Sequence, residues 1–283
     1  MAGIRGVSQL AALFVYKKRV VCERGSADLA GNVIHGRNKL PFSHRSGETG
    51  VLMIHGFTGS PGELRPLGEF LGAHGYAVEI PVLAGHCTSV EDMMETTDTD
   101  WLQSAHDAYL ALAKDVKQVV VIGHSMGGLI AFHLANRNAT LGVVSICTPI
   151  YLTNPLTIIA PYLAWAMPVQ KGKGPRNPQV QEFLGGYNDT PLKTVKGLRR
   201  LIEGVKAELP HVVIPTLIQQ SKKDITVRPK SATYIYDQIS STKKYLKWYA
   251  NSGHILPVDV DRAQVFADIL SFVREIEGSN DGD

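Results

Sequence analysis

The sequence predicts an α/β fold, with a mostly parallel central sheet, helices on both faces and a small cap insertion. Three observations predict it. From residue 51 onward, short apolar runs alternate with stretches of helical periodicity. The runs are continuously apolar rather than alternating, as strands covered on both faces are. One long interval, residues 148–213, interrupts the alternation without a clear strand and reads as an insertion over the sheet.

The predicted strands, in order, are "VLMI" (51–54), "YAVEI" (76–80), "VVVIG" (119–123), "GVVSIC" (142–147), "IPTLIQQ" (214–220) and "KYLKWY" (244–249). Between them, Trp101, Ala105, Ala108, Leu112 and Val116 recur at helical spacing, as do Val265, Ile269, Phe272 and Ile276 near the end. The interval opens with the apolar "IYLTNPLTIIAPYLAWAMP" (150–168), expected to line an acyl-chain tunnel or to pack on the core. It passes through Gly/Pro-rich "KGKGPRNP" (171–178) and becomes helical over 190–209. In that helix Leu192, Val195, Leu198, Ile202 and Val205 share a face flanked by Lys193, Lys196, Arg199 and Arg200. Such charges form a solvated face more often than a membrane-surface contact, which is the alternative. The expected organisation is an N-terminal extension without an assigned role (1–40), a core built from 41–150 and 211–283, and a cap at 151–210.

Composition excludes several classes. With 44% hydrophobic and 19% charged residues and a net charge of +3, the chain is of ordinary globular type and has no basic footprint for nucleic acid. Its three cysteines, Cys22, Cys87 and Cys147, are far apart, and neither a zinc pattern nor a disulfide framework follows from them. His35, His44, His74, His106, His133 and His211 show no metal-site spacing. The apolar patch at 10–16 is too short to cross a bilayer, and most of its flanking charge follows rather than precedes it, unlike a secretory leader. The expected location is cytoplasmic. The oligomeric state is not readable.

The chemistry is concentrated in "VVVIGHSMGGLIAFHLA" (119–135). Gly123-x-Ser125-x-Gly127 lies between a predicted strand and a predicted helix, the context a nucleophile elbow requires. A serine hydroxyl needs a base, and the base an orienting acid. On such an elbow the partners follow in the order acid, then histidine, and Asp224 and His254 come directly after the last two predicted strands. Asp237 falls in a predicted helix and Asp259 follows the histidine, so both fit less well. An oxyanion needs two N–H donors. Met126, after the serine, is the first candidate, and Phe57, in the turn after "VLMI", the second. Their side chains are expected to line the pocket.

By "HGFTGSPGELRPLGEFLGAHGY", "GHSMGG", "TPLKTVKGLRRLI", "DITVRP" and "SGH", in that order over roughly residues 40–277, the chain resembles the α/β-hydrolase superfamily, and within it the bacterial carboxylesterase and monoacylglycerol lipase family. The resemblance implies a Ser125–Asp224–His254 triad, an oxyanion hole at Phe57 and Met126, no cofactor, and short- to medium-chain esters or monoacylglycerols as substrates. Thioesterase, perhydrolase and carbon–carbon hydrolase activities share the triad, and a non-enzymatic ligand receptor shares the fold. A dinucleotide-binding reading of Gly56, Gly59 and Gly62 fails on spacing and on Pro61, which lacks an N–H. One departure stands out: in "AGHCTS" (84–89), Cys87 replaces the usual glycine, a change expected to alter the loop angles and tighten the entrance.

Overall fold

The computed structural model describes residues 36–154, 167–171 and 177–278. Most of the N-terminal extension, most of the apolar 150–168 stretch and most of the Gly/Pro-rich segment therefore lie outside the described residues. A seven-stranded sheet runs in the order β1-β3-β2-β4-β5-β8-β9. The strands are β1 (Phe42–His44), β2 (Thr49–Ile54), β3 (Ala77–Ile80), β4 (Gln118–His124), β5 (Gly142–Ile146), β8 (Thr216–Ser221) and β9 (Lys244–Tyr249). All neighbours pair in parallel except β1, which closes one edge antiparallel to β3. The six strands expected from sequence are all present, and β1 is an addition.

The sheet is wrapped on both faces, and its side chains show how. Along β2, Leu52 and Ile54 point into one apolar cluster while Val51 and Met53 point into the other; Val119 and Val121 alternate with Val120 and Ile122 in β4 in the same way. Strands buried on both faces carry no polar face, which explains the unbroken apolar runs. The first cluster contains α3 (Asp98–Ala113), α4 (Met126–Ala135) and α7 (Lys230–Gln238). The second contains α1 (Arg65–Ala73) and α8 (Arg262–Gly278). A shorter helix, α2 (Val90–Met94), begins at Ser89, whose hydroxyl accepts the Asp92 amide at 3.0 Å.

Helix α4 is apolar on every side, the pattern of a helix with no solvent face. The sheet covers one side of it. The other side is covered from the insertion, which supplies α5 (Pro178–Gln181), the two-residue strands β6 (Val169–Gln170) and β7 (Thr190–Pro191), and α6 (Val195–Glu208). Leu198, Leu201, Ile202 and Val205 of α6 join the same apolar cluster as α4. The apolar face read from sequence is thus a packing face. Of its flanking charges, Arg200 pairs with Asp98 and Lys193 with Glu95. The helix predicted over 190–209 starts five residues late, because Thr190–Pro191 pairs as β7 and Leu192–Thr194 forms a 3-10 turn.

Candidate active site

Six loops leave the carboxyl ends of the parallel strands on one rim of the sheet, the usual place for ligand sites in such folds. The loop after β4 is the tightest. Ser125 has φ 54° and ψ −121°, a left-handed conformation that serine enters only under constraint. Its amide is fixed to the Ile146 carbonyl at 2.8 Å. The flanking glycines are required by contact: a Cβ on Gly123 would lie 2.1 Å from the Gly127 carbonyl oxygen, and one on Gly127 would lie 2.0 Å from that of Ile54. The turn lifts the serine hydroxyl off the strand end and starts α4 at the next residue.

Asp224 and His254 reach the same point from the loops after β8 and β9. His254 Nδ1 is 2.7 Å from Asp224 Oδ2, and His254 Nε2 is 3.0 Å from Ser125 Oγ. The carboxylate fixes the tautomer, with Nδ1 donating and Nε2 free to accept from the hydroxyl. Asp224 is fully engaged. Oδ1 accepts the amides of Thr226 and Val227, both at 2.8 Å, and Oδ2 also accepts Gln220 Nε2 at 3.2 Å. Burial raises its pKa, but the His254 charge and these bonds outweigh that and hold the carboxyl below its ordinary value. The loop of His254 is anchored as well: Asp259 Oδ2 accepts the Gly253 amide at 2.7 Å, and Asp261 Oδ2 accepts the amides of Asn251 and Ser252 at 2.9 Å. The three residues picked from sequence are therefore together, and Asp259 serves the histidine loop instead.

The loop after β2 abuts the serine; a Cβ on Gly56 would be 3.3 Å from Ser125 Cβ. The Gly56 carbonyl accepts from the Gly59 amide at 3.1 Å and from His55 Nδ1 at 3.0 Å. That carbonyl shares a peptide plane with the Phe57 amide, so both clamps orient the amide too. Among the described residues neither the Phe57 nor the Met126 amide donates to a protein acceptor. The Phe57 ring is half-buried and meets Trp101 edge-on at 5.7 Å. Met126 corrects the expectation for its side chain: it is fully buried in the apolar cluster that α4 shares with the sheet.

Beneath these loops lies a buried polar layer in which sequence reasoning placed His55 and His124 as supports of the two turns but missed Glu63. Glu63 is buried, with Oε2 3.0 Å from His124 Nδ1 and 3.4 Å from the Gly56 amide. His124 Nε2 is 3.0 Å from the main-chain oxygen of His254. His55 accepts the Leu83 amide at Nε2, 3.2 Å away, and burial holds its pKa down. Burial lowers that of His86 to about 3, with its Nδ1 against the Ala84 carbonyl at 3.0 Å. The one available signal was an acidic residue inside a Gly/Pro-rich turn, where a charge has no solvated helix face to occupy.

The insertion is seated on this rim by main-chain and side-chain groups together. The Tyr187 amide donates to the Thr58 carbonyl at 2.7 Å, and the Gly185 amide to Ser60 Oγ at 3.0 Å. Tyr187 Oη donates to the Gly85 carbonyl at 2.9 Å and accepts the Thr88 amide at 2.8 Å. Cys87, between them, has φ 60°. It therefore occupies the left-handed region that glycine enters freely, rather than forcing the loop elsewhere. Asn177 Nδ2 binds Asp259 Oδ1 at 2.7 Å, tying the insertion to the histidine loop as well.

Residues 47–261 match the Hydrolase_4 family model, described as serine aminopeptidase, S33. A thermostable monoacylglycerol lipase of Bacillus sp. (strain H-257) is 35% identical over 244 residues, 84% of this chain and 95% of that protein. A carboxylesterase of Bacillus subtilis (strain 168) is 29% identical over 238 residues, 84% of this chain and 97% of the relative. The chain belongs to this α/β-hydrolase family. It is a hydrolase. A solved structure from work on LipS and LipT, two metagenome-derived lipolytic enzymes, superposes on the hydrolase with a TM-score of 0.79 at 30% identity, over 83% of this chain and 97% of the other. Among the described residues of this hydrolase, the His/Cys/Asp/Glu grouping compact enough for a metal ion is Cys147–Asp224–His254, within 4.8 Å. Two of its members already bond each other. No helix among the described residues is long and apolar enough to cross a membrane.

Proposed function

We propose that this hydrolase cleaves carboxylic esters of short- to medium-chain acyl groups, monoacylglycerols among them, through an acyl-enzyme on Ser125. The observation that carries the reading is the continuous line from Asp224 Oδ2 through both nitrogens of His254 to Ser125 Oγ, at 2.7 and 3.0 Å. His254 Nε2 takes the hydroxyl proton as Oγ attacks the ester carbonyl. Asp224 stabilises the imidazolium so formed. The amides of Phe57 and Met126 receive the oxyanion, and their lack of protein acceptors supports that role. Collapse of the intermediate breaks the C–O bond to the alcohol, which leaves with the proton from His254. Water then gives its proton to His254, attacks the acyl-enzyme, and the acid departs as Oγ recovers a proton. Every step uses side chains and amides of this chain.

The half-buried Phe57 ring, with Trp101 behind it and Leu192 and Val195 of the insertion against it, offers an apolar wall for an acyl chain. The family names of the relatives support esters as the substrate class. Cys87 and Cys147 are both free, in keeping with a reducing compartment, and the cytoplasm is the location proposed. The test is a chain-length profile on nitrophenyl esters and monoacylglycerols with Ser125→Ala as control. The variant is expected to fold and to lose activity by a factor on the order of 10³ to 10⁶. Near-full turnover in that variant would remove the acyl-enzyme from consideration.

A further inference from the structure

Glu63 and His124 take no part in the proton transfers above, yet they are buried between the Gly56–Phe57 loop, the elbow of Ser125 and the loop of His254. Their side chains are 7% and 2% exposed. His124 Nε2 faces the carbonyl oxygen of His254 at 3.0 Å; a carbonyl can only accept, so Nε2 carries a proton. His124 Nδ1 faces Glu63 Oε2 at 3.0 Å, and the same oxygen receives the Gly56 amide at 3.4 Å. An oxygen that accepts from two sides is best served by the anion, which leaves the second imidazole proton on Nδ1. Burial disfavours charge on both partners, but their mutual bond and attraction outweigh it: Glu63 is held below its ordinary pKa and His124 above. The neighbouring titratable groups are consistent with one cation here. His55 is held neutral by burial, Asp224 is anionic, and the His254 ring lies 5.1 Å from that of His124.

We propose that Glu63 and His124 form a charged cross-brace of positioning residues that holds the Gly56–Phe57 loop, the elbow of Ser125 and the loop of His254 in register during acyl transfer. One arm runs through Oε2 to the Gly56 amide, the second is the chain itself at His124–Ser125, and the third runs from Nε2 to the His254 carbonyl. The proposal rests on the acyl-enzyme reading. Glu63→Gln separates the two. With a neutral imidazole protonated on Nε2, the variant's NH2 must turn to Nδ1 and can no longer accept the Gly56 amide; with the amide oxygen there instead, Nδ1 takes the proton and the His254 carbonyl loses its donor, so an arm is given up either way. Displacement of reacting groups by a fraction of an ångström lowers kcat: about tenfold or more is expected on nitrophenyl butyrate, with KM changed less than about twofold. A folded Glu63→Gln with wild-type kcat overturns the brace. If the variant does not fold, 15N NMR of the wild-type protein decides: two protonated ring nitrogens on His124 at pH 7 support it, and one unprotonated nitrogen overturns it. Activity surviving in Ser125→Ala instead would sink the underlying mechanism, whereas an inactive Ser125→Ala beside an unaffected Glu63→Gln sinks the brace alone.

Discussion

Replacing Asp224 with Asn tests the hydrogen-bond inventory of the site most directly. The carboxylate accepts four donors: two main-chain amides on Oδ1, and Gln220 Nε2 and His254 Nδ1 on Oδ2. An amide supplies one acceptor oxygen and one donor nitrogen, so neither orientation fits. With the oxygen toward His254, the NH2 opposes the amides of Thr226 and Val227, and a buried clash of donors costs about 1–3 kcal/mol. With the NH2 toward His254, Nδ1 must give up its proton. The tautomer then carries its hydrogen on Nε2 and cannot accept from Ser125. The main-chain donors are fixed and the ring can rotate its protonation, so the second orientation prevails. The expected loss is about 10³- to 10⁴-fold in kcat, equivalent to about 4–5.5 kcal/mol of transition-state stabilisation. The assay is steady-state hydrolysis of a nitrophenyl ester, corrected by active-site titration, with folding checked by circular dichroism. A folded Asp224→Asn within about tenfold of wild type would refute the tautomer argument.

Further outcomes follow from the same geometry. The Glu63–His124 pair should shape stability against pH from both sides. The depressed Glu63 contributes above the ordinary carboxylate pKa and loses its contribution as pH falls through its lowered value; the elevated His124 contributes fully below about pH 6.5 and loses its contribution as pH rises through its raised value. Urea midpoints should therefore decline in wild type at alkaline pH, and that decline should be shallower in Glu63→Gln. A Cβ on Gly186 would lie 2.1 Å from the Thr58 carbonyl oxygen, a main-chain atom. Gly186→Ala should thus push the insertion off the Phe57 loop, raising KM and lowering kcat together; unchanged kinetics would contradict that seat. At Cys87, φ 60° penalises branched side chains, so Cys87→Val should cost about 1–2 kcal/mol in denaturant unfolding while Cys87→Gly costs less. Burial lifts the Cys87 thiol to about 12, so alkylation by iodoacetamide at pH 8 should be slow.

The sheet was legible because its interior strands have no solvent face, and a run such as Val119–Ile122 reads as a strand with no knowledge of its partners. Phe42–His44 was not, since three residues on an edge carry no pattern of their own. Ser125, Asp224 and His254 could be found because the turn chemistry of the elbow is local and the order of its partners follows the order of the strands. Glu63 could not, because its partner His124 is 61 residues away and an acid in a Gly/Pro-rich turn does not by itself say what it pairs with. The same holds for Gln220, whose amide steadies Asp224, and for Tyr187, whose hydroxyl spans Gly85 and Thr88. Met126 was misjudged for a related reason: the residue after the nucleophile was read as facing substrate, whereas the first turn of α4 directs its side chain into the core.

The seat of the insertion has an evolutionary corollary. Tyr187 and Gly185 hold the rim through their peptide nitrogens, grasping the Thr58 carbonyl and the Ser60 hydroxyl. Peptide groups survive mutation. Side chains of that segment outside the buried face of α6 and the Tyr187 and Asn177 contacts are thus free to drift in size and polarity, retuning which acyl groups are admitted, while the machinery below keeps its alignment. Diversification of substrate range and preservation of the chemistry are assigned to different atoms of the same polypeptide.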